Sequence, residues 1–199
     1  MNVHSVEVKY SMMSDKRTDI LNATLNLISA NGFHGTPMSK IADQAGVGAG
    51  TIYRYFESKE DLINELFLEL KGNITQAMLV GFNPEASTEE IFRKAWLNTF
   101  NYCIQYPQEM LFLEQYYNSP YLTLETEAAT QEYLAPFISV FIAAVEKGEI
   151  KNIPFEMVTM FVHDVTVATA KRHLSGALVM DDSKLEMALQ ACWDAIKVN

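Results

Sequence analysis

Apolar positions recur at helical spacing in segment after segment of this chain. Ile20, Ala23, Thr24, Leu27 and Ile28 stand at i, i+3, i+4, i+7 and i+8, the stripe that one side of a helix buries. That helix is expected from Ser14, with Gly32 as its C-terminal stop. Thr36 is expected to cap a second short helix whose first position is Pro37, where a missing N–H costs nothing. Ile41, Ala45, Val47, Ile52 and Tyr55 can form the shared core of two short helices. Ala42 is small where those helices would approach, and Gly46 stands where the turn needs a left-handed residue. Ser58 and Asp61 form a capping box ahead of Leu62, Leu66 and Leu70, predicting a long helix from about Lys59.

Beyond it, Asn83-Pro84 breaks the pattern, and Ser87 to Glu90 repeats the box at the start of a helix through Trp96 and Phe100. Tyr106-Pro107 ends that helix and opens another reaching about Asn118. The stretch 121–147 is helical in pattern, with Pro136 expected to kink or split it. Gly148 to Pro154 reads as a turn, and Pro154 as the first position of a helix to about Ser175. Ser183 to Glu186 reads as a third capping box, opening a last helix with Leu185, Ala188, Leu189, Cys192 and Ile196 on one face. The pattern contains no convincing strand and no internal repeat. It predicts an all-α protein of about nine helices.

Composition narrows the functional classes. With 49% hydrophobic and 20% charged residues in 199, the chain is globular, of one domain or two small ones. No signal peptide is visible, and the longest apolar run, Tyr133 to Val145, is shorter than the roughly 20 residues that span a bilayer. A cytoplasmic protein without a membrane partner is expected. Cys103 and Cys192 are far apart and make no redox or metal motif. His163 and His173 share no turn, and His163 reads as a buried, hydrogen-bonded residue of the apolar 158–167 run. No nucleophile–base constellation, phosphate loop or metal spacing points to catalysis, so neither an enzyme nor a cofactor or metal is expected.

The net charge of −10 argues at first against nucleic acid, but its distribution weakens that objection. Residues 1–58 hold five basic residues (Lys9, Lys16, Arg17, Lys40, Arg54) and five acidic ones (Glu7, Asp15, Asp19, Asp43, Glu57). The head is therefore neutral, and the whole −10 lies in residues 59–199. Two short helices joined by a glycine turn leave one face of the second free, here Ala49, Gly50, Thr51, Tyr53 and Arg54. Small residues at its start let the backbone approach a major groove, and Tyr, Arg and Thr supply donors for phosphates and base edges.

The run IADQAGVGAGTIYRYFESKEDL resembles the signature of the TetR family of transcriptional regulators, over a match from about Asp15 to Leu70. The resemblance implies a three-helix DNA-binding domain, here residues 14–58 behind a flexible arm over 1–13, with its helix-turn-helix at about 37–56. A long helix would join it to an effector-binding and dimerisation domain, residues 59–199. It implies phosphate contacts from Thr36, Tyr53, Tyr55 and Lys59, with Lys40 also on the DNA side, and Ala49, Gly50, Thr51 and Arg54 facing the groove. Two departures are visible. Gly48 replaces a usual capping hydroxyl, and Pro37 replaces a small hydroxyl residue. Phe56 reads as core.

Residues 92–141 hold 12 of the 22 aromatic residues. Most read as ordinary core, but the family resemblance implies an effector pocket among these middle helices. The candidates are Trp96, Phe100, Cys103, Phe112, Tyr116, Phe137 and Phe141, for an apolar or aromatic small molecule. Glu109, Glu114 and Asp164 read as exposed or paired rather than as a cation site. The helix from Pro154 is apolar nearly all round and needs cover on two sides. The resemblance implies that the last two helices pair with a second copy, through Val158, Phe161, Val162, Val165, Leu185, Leu189, Cys192 and Ile196. The expected function is a ligand-responsive homodimeric regulator, a repressor, binding a palindromic operator in double-stranded DNA. The alternative is a helical small-molecule carrier or enzyme without DNA binding.

Overall fold

Helical stripes and their breakers place the chain in ten α-helices and one π-helical turn, seen in a computed structural model that describes residues 16–198. The arm expected over 1–13 lies outside the described residues. The chain divides into two compact units between Leu62 and Ile63, inside its fourth helix.

In the first unit, α1 (Lys16–Asn31) buries Ile20, Leu21, Ala23, Thr24, Leu25 and Ile28, and its end is closed by Gly32 at φ 70. The expected cap at Thr36 does not form. Thr36 is wholly buried, and its hydroxyl donates backwards to Gly32 O at 2.9 Å. Pro37, in extended conformation, is itself the N-cap of α2 (Met38–Gln44) and has no side-chain donor or acceptor for that role. Gly46, at φ 64, turns the chain towards α3 (Ala49–Ile52), capped by Gly48. Ile41, Ala42, Ile52 and Phe56 are buried, whereas Tyr55, read as shared core, is exposed. α4 (Lys59–Met78) starts as predicted. Ser58 Oγ accepts the Asp61 N–H at 3.0 Å, and Asp61 Oδ2 accepts the Glu57 N–H at 2.8 Å, one residue earlier than the simple box.

In the second unit, α5 (Thr88–Gln105) opens on the Ser87–Glu90 box, and α6 (Pro107–Tyr117) on proline. A Thr123–Thr126 box opens α7 (Leu124–Glu146), which runs through Pro136 without splitting. The carbonyl left without a partner by that proline belongs to Glu132 on the exposed side, where water can satisfy it. The helix expected from Pro154 is a continuous rod in three parts. These are α8 (Phe155–Thr159), a π-helical turn (Met160–Asp164) and α9 (Val165–Leu174), with Pro154 as cap rather than first residue. The last helix, α10 (Asp182–Ile196), is capped by Asp181, whose carboxylate accepts the Lys184 N–H at 2.9 Å, not by Ser183. Counting the rod as one helix gives the expected nine. Among the described residues the one β element is an isolated antiparallel bridge, Ile150 to Lys197, which clips the end of α10 to the turn after α7.

Two clusters fill this unit. Trp96, Phe100, Cys103, Met110, Ala170, Met180, Leu189 and Cys192 form one, and Ala144, Ile150, Trp193 and Ile196 the other. Leu189, Cys192 and Ile196, expected at a dimer interface, are therefore interior residues of their own subunit. The stripe on α10 is real, but it faces inward. By length and composition α7 alone among the described helices is long and apolar enough to cross a membrane. Much of its apolar side faces a cavity instead, as shown below.

Two glycines of the head test this geometry by opposite outcomes. A Cβ at Gly46 would meet no atom, but its left-handed backbone disfavours any side chain, so Gly46→Ala is expected to destabilise by about 1–2 kcal/mol. Gly50 is helical with open space at its Cβ, so Gly50→Ala is expected to stabilise by about 0.5–1 kcal/mol. Urea unfolding of the two variants measures both.

Candidate functional site

Ile52 alone of α3 is buried. It pins a helix so short that the following turn continues the same exposed surface. On that surface Ala49, Gly50, Tyr53, Arg54 and Tyr55 are exposed and Thr51 is half-buried. Tyr53 is the most open of the aromatic residues here, at 56% exposure. Two backbone positions without side-chain bulk, Gly48 and Gly50, have empty space where a Cβ would stand. That surface can be pressed against another molecule and carries one guanidinium, two phenols and a hydroxyl.

The other expected DNA contacts are placed differently. Thr36 is buried with its hydroxyl engaged, so it offers no donor at the surface. Lys40 is exposed, with its ammonium 3.2 Å from Gly35 O. Lys59 donates to Phe33 O at 2.7 Å, tying the first turn of α4 to the loop after α1, and partial burial lowers its pKa. Two of its three ammonium hydrogens stay free for another acceptor.

The second unit holds a cavity of about 990 Å³, at the upper end of the range for small-molecule sites. Trp96 and Cys103 from α5 and Phe137 and Phe141 from α7 line it, as expected. Phe100, Phe112 and Tyr116 do not. Phe100 stacks on Trp96 with centroids 5.7 Å apart, on the core side. Phe112 is fully buried against Tyr116, which in turn stacks on Phe67 at 3.8 Å. The Tyr116 hydroxyl donates to Asn64 Oδ1 at 2.8 Å. Those three rings hold the walls together.

Several lining residues escaped sequence reasoning. Val158 and Val162, assigned to a dimer face, line the cavity instead, and Ile196 joins them from α10. Phe161 and Leu185 are half-buried against the cores, leaving Val165, 42% exposed, as the one expected interface residue on the surface. His163, expected to be buried, is half-exposed on the lining, with Nδ1 3.3 Å from Asp164. Glu114 is paired, as expected, through both oxygens with Lys171 at 2.7 and 2.8 Å. Glu109 is bonded to the Tyr102 hydroxyl, away from the cavity, and burial raises its pKa.

Lys71 of α4 was not foreseen. It is 91% buried (9% exposed) and lines the cavity, and its side chain makes no hydrogen bond or ion pair with a described residue. Its one partner is the face of Tyr117, 5.6 Å from the ammonium. A cation–π contact is worth about 0.5–2 kcal/mol and brings no counter-charge to the ammonium. The signal was present in the sequence, because Lys71 stands at a buried-stripe position of α4, between Phe67 and Ile74.

Cys103, fully buried on the cavity wall, has its thiol pushed up to about 11 by burial, from 9.0. Two units mean roughly 100-fold less thiolate than an ordinary cysteine at neutral pH. Alkylation of native protein by iodoacetamide is expected to be slower by at least that factor at pH 7.5 and to rise tenfold per pH unit up to about 10. Mass spectrometry of the Cys103 peptide follows it.

Residues 20–66 match the model of bacterial regulatory proteins of the tetR family, and residues 88–197 match a tetracyclin repressor-like C-terminal domain. The structure of a TetR family transcription regulator from Marinobacter aquaeolei VT8 superposes with a TM-score of 0.88 at 27% identity, over 92% of this chain and 96% of that one. A TetR family protein from Vibrio parahaemolyticus superposes with a TM-score of 0.83 at 34% identity, over 93% of this chain and all of that one. The Fatty acid metabolism regulator protein of Bacillus subtilis (strain 168) is 41% identical over 75 residues, 38% of this chain and 39% of the relative. The chain thus spans well under two thirds of that relative's length. Helical fold, family models over both halves and full-length structural likeness agree: the chain belongs to the TetR family of transcriptional regulators.

Proposed function

We propose that the protein is a homodimeric, ligand-responsive repressor of the cytoplasm that binds a palindromic operator in duplex DNA and is released by a small molecule in the cavity. The observation that carries this reading is α4, one unbroken helix with a role at each end. Its first turn is tied through Lys59 to Phe33 in the head, and its later turns put Lys71, Ile74 and Met78 on the cavity wall. A ligand that favours one placement of α4 shifts the population of DNA-competent forms by its differential affinity for them.

Tyr53, Arg54 and Tyr55 supply the open donors for DNA, with Lys40 and Lys59 beside them and the small residues Ala49, Gly50 and Thr51 entering the groove. Thr36, being buried, acts by shaping the loop. Pairing of two copies would use the outer side of the rod and α10, where Met157, Met160, Val165 and Met187 are exposed. A two-fold dimer would read half-sites about 34–36 Å apart or a multiple of it. The name of the Bacillus subtilis relative, a fatty acid metabolism regulator, supports an apolar effector for this chain as well.

Selection of bound sequences from random duplex DNA tests the reading and yields the half-site spacing. Arg54→Ala is expected to weaken operator binding by about 1–3 kcal/mol, and Lys59→Ala to flatten the dependence of log K on log salt by roughly one unit. Unchanged affinity and slope in both would remove these roles. Val165→Glu is expected to dissociate the dimer, and a light-scattering mass equal to that of unaltered protein would show that the pairing face lies elsewhere.

A further inference from the structure

The cavity carries an asymmetry that its apolar walls alone do not explain. Six acidic or basic side chains line it, counting histidine. Glu114 and Lys171 neutralise each other in a two-oxygen ion pair, and Asp164 lies against His163. Arg172 is exposed to solvent. Lys71 differs from all of these. It is more than nine-tenths buried, touches the face of Tyr117, and has no anionic partner among the described residues. Buried charges in proteins are paired, so an ammonium held this way calls for an anion from outside the chain.

The rest of the lining defines what that anion is attached to. Around Lys71 stand Ile74, Met78, Trp96, Leu113, Phe137 and Phe141, and the indole N–H of Trp96 is a buried donor without a hydrogen-bond partner among the described residues. The volume, about 990 Å³, is suited to a long aliphatic chain rather than to a small ion. We propose that the cavity binds a long-chain carboxylic acid, its carboxylate paired with the Lys71 ammonium and its chain along the apolar walls. This names the ligand class of the cavity that the regulator reading uses as an effector site.

A carboxylate is favoured over a neutral head because an alcohol or ester would leave the ammonium uncompensated. It is favoured over an acyl thioester of a nucleotide because there the group joined to the aliphatic chain is an uncharged carbonyl, and the negative phosphates lie at the far end of a long arm, away from an ammonium beside the apolar walls. Chain length should matter too, since each added methylene removed from water tightens binding roughly fourfold until the cavity is full.

The test is calorimetric titration of DNA-free, delipidated full-length protein with palmitate, hexadecanol and palmitoyl-CoA, each below its micelle concentration. Unaltered protein is expected to prefer palmitate over both others by at least tenfold. Lys71→Met should bring palmitate down to the level of hexadecanol while leaving hexadecanol within twofold, and Lys71→Arg should keep the preference. If Lys71→Met does not fold, the Lys71→Arg protein and the preference of the unaltered one still decide. Equal binding of palmitate and hexadecanol, tighter binding of palmitoyl-CoA, or binding of none would overturn the assignment. Because no DNA is present, any of these outcomes leaves operator recognition to be judged separately.

Discussion

Along α4 a single face is kept from water for most of its length: Leu62, Ile63, Leu66, Phe67, Leu70, Lys71, Ile74 and Thr75 are all buried. Seven of those eight side chains are uncharged and bury at a gain or at little cost. The eighth is a lysine. Burial of the neighbouring isoleucines and phenylalanine keeps Lys71 on the cavity wall. In the head, the Ser58 and Asp61 bonds start the helix and Lys59 ties it to Phe33. The coupling proposed for this regulator rests on one helix contributing residues to both units.

The head shows how little buried surface a recognition surface needs. α3 is one turn with one buried residue, Ile52, and a glycine where a capping hydroxyl usually stands. Its neutral charge removes bulk electrostatic attraction as a source of affinity, so the proposed operator binding would come from placed donors and from pairing of two heads. Thr36 contributes indirectly. Its bond to Gly32 O closes the turn after α1, and the backbone of that loop in turn receives Lys59.

How far the sequence disclosed this molecule depended on what each residue's signal specifies. Helical stripes located α1, α4 and α5 within a few residues, because periodicity reports a buried face directly. Caps were less certain, since Asp181 and Ser183 both stand at plausible spacings ahead of α10, and Asp181 prevails by taking the Lys184 N–H. The π turn at 160–164 has no residue that marks it. Stripes also fail to say what a face is buried against. Leu189, Cys192 and Ile196 were correctly seen as one face, yet that face packs inside the subunit rather than on a partner. The aromatic cluster likewise divides into lining (Trp96, Phe137, Phe141) and scaffold (Phe100, Phe112, Tyr116) by tertiary packing alone. Lys71, a charged residue on an apolar stripe, was a further cavity signal in the sequence that went unread.

Coupling between cavity and DNA is the centre of this account. The direct measurement is fluorescence anisotropy of a labelled operator duplex held by the protein, titrated with palmitate, with the mass of the released protein taken by light scattering. Release of the duplex at ligand concentrations that saturate the cavity, with the dimer mass unchanged, is the predicted result. Operator affinity that stays constant while the cavity fills would contradict it.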